Sequence, residues 1–327
     1  MKIAVFGAGA IGCWVGGRLA TGGADVTLIG RPRVLDELRD GLTVTELGNK
    51  IWTVKPQLAT DASAARSAEL VLVTVKSAQT ASAGAELANH GTGVVVSLQN
   101  GIHNAEVLRA ALPGRVVLAG MVPFNVARVA PGRYHRGTSG DLMVEGHPAI
   151  EPFVLACRRA ELPIEARSDM PAVQWAKLVM NLNNAINALS SRTLLEELAD
   201  RDFRRCLALA QHEALDVLDA ANQPLAKLLA LPPRWVARIL PMPDWLFRRI
   251  ATRVAAVDPL ARSSMQDDFS HGRPTEVDYL QGELVTLAKR LGRTAPINAR
   301  LVELVRAAEA GGKRDFTGAE LLAALTS

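Results

Sequence analysis

Apolar and polar positions change places in short, regular runs over the first third of the chain. Lys2–Phe6 reads as a short apolar strand, followed by a glycine-rich turn and a helical pattern to about Gly22. Asp25–Ile29 predicts a second strand, Val34–Asp40 a helix, and Leu42–Glu46 with Ile51–Lys55 a hairpin. Leu70–Val75 is continuously apolar, the mark of a strand buried on both faces. A helix over Ala81–Asn89, a strand over Gly93–Leu98, a helix over Asn104–Ala111 and a strand over Val116–Gly120 continue the series. Such alternation predicts an α/β fold, a doubly wound parallel sheet with helices on both faces and right-handed crossovers. After about Met121 the pattern changes. Tyr134–Arg136 and Asp141–Glu145 read as antiparallel strands entered through the Pro131-Gly132 turn, and from Pro171 onward the period is almost entirely helical. The division expected is an α/β domain over residues 1–168 and an all-helical domain over 169–327.

Composition narrows the class without naming a function. The 327 residues are 49% hydrophobic and 21% charged, which excludes a largely disordered chain, and the length suits about two domains. No apolar run reaches the roughly 18 residues of a membrane span. Met1 leads directly into a strand, so no secretory signal is expected, and Cys13, Cys157 and Cys206 lack metal or disulfide spacing. That cysteine usage fits a reducing cytoplasm, the setting expected. The formal charge of +4 is modest for this length; it argues against a nucleic-acid binder and suits anionic small molecules.

Gly7-Ala8-Gly9-Ala10-Ile11-Gly12 follows a strand and opens a helix, the context that the dinucleotide fingerprint of a Rossmann-type domain requires. Gly7 permits the tight turn, Gly9 the approach of a pyrophosphate, and Gly12 close helix–strand packing, while the helix N-terminus offers free amides. An NAD site usually carries a carboxylate at the end of the second strand. Here that position reads Gly30-Arg31-Pro32-Arg33, with no acid until Asp36. A guanidinium at Arg31 pairs well with a 2′-phosphate, so NADPH is the expected cofactor. Lys76 and Gln99-Asn100-Gly101 follow the next two buried strands at the ligand-binding edge, where a ligand contact and a helix-capping turn are equally good readings.

The helical half supplies candidate chemistry. Trp175–Leu189 predicts one long helix on which Lys177, Asn181 and Asn184 fall at roughly 0°, 40° and −20° around the axis. One narrow stripe then carries an amine and two amides among apolar neighbours, which suits a cleft better than open solvent. Ser263-Ser264-Met265, Asp267, Asp268 and Gly272-Arg273-Pro274-Thr275-Glu276 form a second polar cluster, whose Thr275-Glu276 also reads as an ordinary helix start. His271 and Cys13 read as turn and packing residues, His212 and Glu213 are adjacent on a helix without metal spacing, and no metal site is expected.

Taken in order, these motifs resemble the ketopantoate reductase (2-dehydropantoate 2-reductase) family within the 6-phosphogluconate dehydrogenase-like superfamily. The resemblance spans nearly the whole chain. It adds Val75-Lys76, Pro123-Phe124-Asn125, Trp175-x-Lys177-Leu178-x-x-Asn181, Arg273-x-Thr275-Glu276-Val277-Asp278 and Pro296-Ile297-Asn298 to the glycine and serine motifs. It implies NADPH-dependent reduction of a 2-keto acid, ketopantoate to pantoate in pantothenate biosynthesis. Lys177 would then donate a proton to the keto oxygen, with Glu276, the family's conserved acid, a second catalytic residue close to the substrate hydroxyl and the lysine. Asn100 would touch cofactor and substrate, Asn181 the substrate, Ser264 the substrate carboxylate, Lys76 the cofactor edge and Arg31 the 2′-phosphate. Two departures stand out. The family's second asparagine, eight residues after the lysine, is Ala185 here, leaving Asn184 as its candidate replacement. The stretch Asn222–Pro259 is longer and more basic than the family's usual linker, with Trp235, Trp245, Arg234, Arg238, Arg248, Arg249 and Arg253 among apolar residues. Extra helices on the second domain, or at a homodimer interface of the helical domain, are favoured over a membrane-surface segment. The alternatives carried are a reductase for another 2-keto or hydroxy acid and a non-catalytic NADP(H)-binding sensor, which would not need the proton donor and carboxylate anchor.

Overall fold

The structure, a computed structural model, describes residues 1–48, 50–251 and 261–327. It divides into two compact units, Met1–Met170 and Pro171–Ser327. In the first, β1 (Lys2–Phe6) leads through a glycine turn to α1 (Ala10–Thr21), then β2 (Asp25–Ile29), α2 (Pro32–Asp36), β3 (Leu42–Glu46), β4 (Lys50–Val54) and β5 (Gln57–Ala59). β6 (Leu70–Val73), α3 (Thr80–Leu87), β7 (Val94–Ser97), α4 (Asn104–Ala111) and β8 (Val117–Met121) continue the alternation. β9 (Val126–Ala130), β10 (Arg133–Arg136), β11 (Leu142–Glu145), α5 (Glu151–Arg159) and β12 (Ile164–Arg167) complete the unit.

The main sheet runs β12-β11-β8-β7-β6-β1-β2-β5. β5 through β8 are mutually parallel, β11 is antiparallel to β8, and β12 is parallel to β11. The period-two rule is visible in β1 and β6. Ile3, Val5, Leu70 and Leu72 enter one core with α1, while Ala4, Phe6, Val71 and Val73 enter the other with α3 and α4.

Two expectations need correction. Tyr134–Arg136 and Asp141–Glu145 do not pair with each other. β10 joins a second sheet, β4-β3-β10-β9, parallel to β3 and antiparallel to β9, whereas β11 closes on β8 in the main sheet. The partner choice is made by packing: Val44 and Tyr134 enter the α1-side core, and Trp14 of α1 donates its indole N–H to Thr45 O at 2.9 Å. Helix α2 is also shorter than the sequence pattern suggested, ending at Asp36 before a run of turns.

In the second unit the long helix expected over Trp175–Leu189 is interrupted. α6 (Met170–Asn181) stops before Leu182, and α7 (Asn183–Ser190) follows it. At this junction Leu182 keeps helical backbone angles, and its carbonyl accepts from Nε2–H of buried Gln281 at 2.8 Å. α8 (Leu194–Ala199), α9 (Arg201–Ala220), α10 (Pro233–Ile239), α11 (Asp244–Ala251), α12 (Ser264–Ser270), α13 (Val277–Arg290), α14 (Pro296–Glu309) and α15 (Gly318–Thr326) complete the unit as described. No helix among the described residues is long and apolar enough to cross a membrane.

Candidate active site

Gly7–Gly12, Arg31, Lys76 and Asn100 follow the carboxyl ends of β1, β2, β6 and β7, which are adjacent parallel strands. All therefore lie along one edge of the first unit, the edge where open α/β sheets take their ligands. The glycines are dictated by local geometry. Gly7 has φ +118°, and a Cβ there would lie 2.7 Å from Val75 N. A Cβ on Gly12 would lie 2.2 Å from Gly7 O and 2.6 Å from Thr74 Oγ1. Gly9 differs, because a Cβ on it would meet nothing within 4 Å. It stands at the N-cap of α1 with no side chain to cap the helix, so the first-turn amides of Ala10 and Ile11 face a cradle that any side chain would fill. Buried Ala8 packs behind this turn. These residues fit the pyrophosphate of a dinucleotide.

Arg31 is exposed at the N-cap of α2. The first carboxylate after β2, Asp36, pairs with Arg39 at 2.7 Å. Lys76, partly buried, directly follows the Thr74-Val75 pair that closes over Gly7. The loop after β7 is held by a buried polar network. Gln99 Nε2 donates to Val75 O at 3.0 Å and Thr80 Oγ1 at 2.7 Å, and Ser77 Oγ donates to Asn100 O at 2.8 Å. Asn104 Nδ2 donates to the same Asn100 carbonyl. Gln99 is thus structural, fixing the two loops that carry Lys76 and Asn100.

In the helical unit, α6 carries Lys177 and Asn181 one turn apart, Lys177 partly buried and Asn181 buried. Burial pulls the Lys177 ammonium down to about 8, since removing water penalises the charged form. Asn184 lies beyond the interruption at Leu182, so it is placed by α7 rather than by the stripe drawn on one helix. Its Nδ2 approaches Ser264 Oγ at 3.4 Å. Ser264 is the exposed first residue of α12, and Ser263 before it is buried and caps the helix by accepting from Gln266 N at 3.2 Å. Glu276 is the N-cap residue of α13, so the helix-start reading of Thr275-Glu276 holds. Sequence reasoning passed over Asn187 and Glu197. The available signal was an amide at four-residue spacing from Asn183 and a carboxylate inside an apolar turn, both 0% exposed here.

The residues left without a role are structural. Burial pushes the Cys13 thiol up to about 12, where it stands on the core-facing side of α1 with Sγ 3.4 Å from Ala8 O. Glu213 accepts from the N–H groups of Ile297 and Asn298 and so holds the start of α14. His271 ends α12 with Nδ1 2.7 Å from Asp267 O. No cluster suited to a metal ion occurs among the described residues. The basic stretch packs on its own unit as far as it is described. Arg204, 1% exposed, donates to Leu240 O at 2.9 Å, Met242 O at 3.0 Å and Asp244 Oδ1 at 2.6 Å, while Arg234 pairs with Asp216 and Asp219. Arg253 and residues 252–260 as a whole lie outside the described residues, as does the Arg248 side chain.

Comparison with known proteins agrees with this reading of the fold. The family profile described as "Ketopantoate reductase PanE/ApbA" matches residues 3–148, and that of its C-terminal domain matches 169–309. The 2-dehydropantoate 2-reductase of Halobacterium salinarum is 30% identical, over 95% of this chain and 100% of its own. The homologue from Archaeoglobus fulgidus is also 30% identical, over 95% and 98%. Among solved structures, a PanE/ApbA family ketopantoate reductase from Ralstonia eutropha JMP134 superposes with a TM-score of 0.81 at 30% identity, covering 95% of this chain and 99% of that one. A D-mandelate dehydrogenase solved with NADH and anilino(oxo)acetate shares the fold, with a TM-score of 0.78 at 21% identity over 95% and 99%. A dinucleotide-type sheet followed by this helical unit, with these relatives, defines an oxidoreductase acting on CH–OH groups. The chain belongs to the ketopantoate reductase family.

Proposed function

We propose that the protein reduces a 2-keto acid, 2-dehydropantoate first among candidates, to the 2-hydroxy acid with NADPH. The reading rests on Lys177, an amine that burial brings to about 8 in a chain matching 2-dehydropantoate 2-reductases over almost its full length. A reduced nicotinamide, when bound, supplies the hydride to C2. Hydride arrival builds negative charge on the keto oxygen, and Lys177 both stabilises that charge and delivers the proton that completes the hydroxyl. Asn181, Asn184 and Ser264 offer donors to the substrate, Ser264 toward its carboxylate, and Glu276 orients the amine. Arg31 favours the 2′-phosphate, since Asp36 is already engaged by Arg39. Lys76, Asn100 and the Gly7–Gly12 turn line the cofactor side.

NADPH oxidation by the purified protein, followed over a panel of 2-keto acids, tests this. Turnover of 2-dehydropantoate above all others is expected. Turnover of another acid alone would keep the reaction class and discard the substrate; no turnover with any acid would favour the cofactor-binding sensor.

A further inference from the structure

Behind the Ser263-Ser264 corner lies a buried polar relay that the reaction itself does not use. Asn187 Nδ2 donates to Glu197 Oε2 at 2.6 Å and to Arg192 O at 3.0 Å, and its Oδ1 accepts from the Ser263 N–H at 2.9 Å. A carboxamide has one donor end and one acceptor end, so acceptors on the Nδ2 side oblige Oδ1 to face Ser263. Ser263 passes the constraint on. Its Oγ donates to Asn184 O at 3.2 Å and receives Gln266 N to open α12, which begins with Ser264. A second tie leaves α8, the helix that carries Glu197, because its first residue Leu194 donates its N–H to Ala261 O at 2.9 Å. Helix α8 is itself clamped by a reciprocal capping box between Thr193 and Glu196.

A carboxyl group in this position is expensive, and an apolar residue would fill the same space without a polar demand. What an apolar residue cannot do is accept from Asn187. We propose that Glu197, acting through Asn187, is a positioning residue that fixes the Ser263-Ser264 corner and so presents Asn184 and Ser264 to the substrate. The assignment of substrate contacts to Asn184 and Ser264 rests on the function proposed above; the fixing of the corner does not. Burial pushes the Glu197 carboxyl up to about 8 against the pull of the Asn187 and Asn183 amides. A group held so near neutrality is one that an uncharged glutamine can replace, since its carbonyl still accepts from Asn187.

The test compares wild type with Glu197→Gln, Glu197→Met and Asn187→Leu by steady-state kinetics and by hydrogen–deuterium exchange of the 261–270 segment in the ligand-free protein. Glu197→Met and Asn187→Leu are expected to raise KM for the keto acid about tenfold, leave KM for NADPH within about twofold, and speed exchange at Ser263 and the following amides about tenfold. Glu197→Gln is expected to stay near wild type in all three. If Asn187→Leu does not fold, the glutamine–methionine pair at position 197 decides. Equal losses in that pair, or wild-type exchange in Glu197→Met, would overturn the relay. Exchange needs no substrate, so a wild-type protein inactive on every keto acid would refute the functional reading while the relay is still judged.

Discussion

Replacing Lys177 by methionine sets activity against stability, and the two effects have opposite signs. Burial lowers the amine from its ordinary value of 10.5 to about 8. The native state therefore binds fewer protons than the unfolded chain between those values. The penalty for burying the charged ammonium is fully present below pH 8, and it fades as pH rises toward 10.5. That difference corresponds to roughly 3 kcal/mol. Lys177→Met removes that cost, so at pH 7 thermal unfolding should move upward by a few degrees, with the gap to wild type closing as the pH approaches about 10. Turnover should fall by orders of magnitude, because the proposed proton donor is gone. In wild type, kcat/KM should decline above about pH 8 with unit slope, so that at pH 9 about a tenth of the maximum remains. Lys177→Arg, whose guanidinium stays charged, should lose that limb along with most of its rate. The assays are calorimetry and initial rates of NADPH oxidation across pH. An alkaline limb that stays at pH 8 in Lys177→Arg, or near-normal turnover in Lys177→Met, would refute lysine as the proton donor.

Arg31→Ala should raise KM for NADPH at least tenfold while changing KM for NADH by no more than about twofold; equal effects would remove Arg31 from the 2′-phosphate. The two fingerprint glycines should separate folding from binding. Gly12→Ala drives a methyl group into the Gly7 carbonyl and should lower Tm sharply, whereas Gly9→Ala meets open space and should leave Tm unchanged while weakening nucleotide binding, measured by titration calorimetry. Arg204→Met strips donors from four backbone carbonyls and from Asp244, and should cost several kcal/mol, with faster proteolysis between α10 and α11 and altered emission from exposed Trp235 and Trp245.

The parts of this protein that its sequence determined are those governed by neighbours along the chain. The strand period of β1, β6 and β7, the turn at Gly7 with its positive φ, and the missing acid after β2 are local facts. They were enough for a dinucleotide-type α/β domain, and Lys177 with Asn181 could be placed together because both precede the interruption of their helix. Tertiary structure decided the rest. The division of the helix at Leu182 coincides with a hydrogen bond from Gln281, 99 residues along, a contact that no reading of helical period could find. Asn184 belongs to α7, where its amide lies 3.4 Å from Ser264 Oγ, a contact across 80 residues of sequence. The pairing of β10 with β3 likewise joins segments about ninety residues apart, and it was settled by the packing of Trp14, Val44 and Tyr134 rather than by strand propensity. Burial, finally, is a property of the folded unit alone. Lysine 177 and glutamate 197 are ordinary charges in the sequence, and only the surrounding fold brings both to about 8.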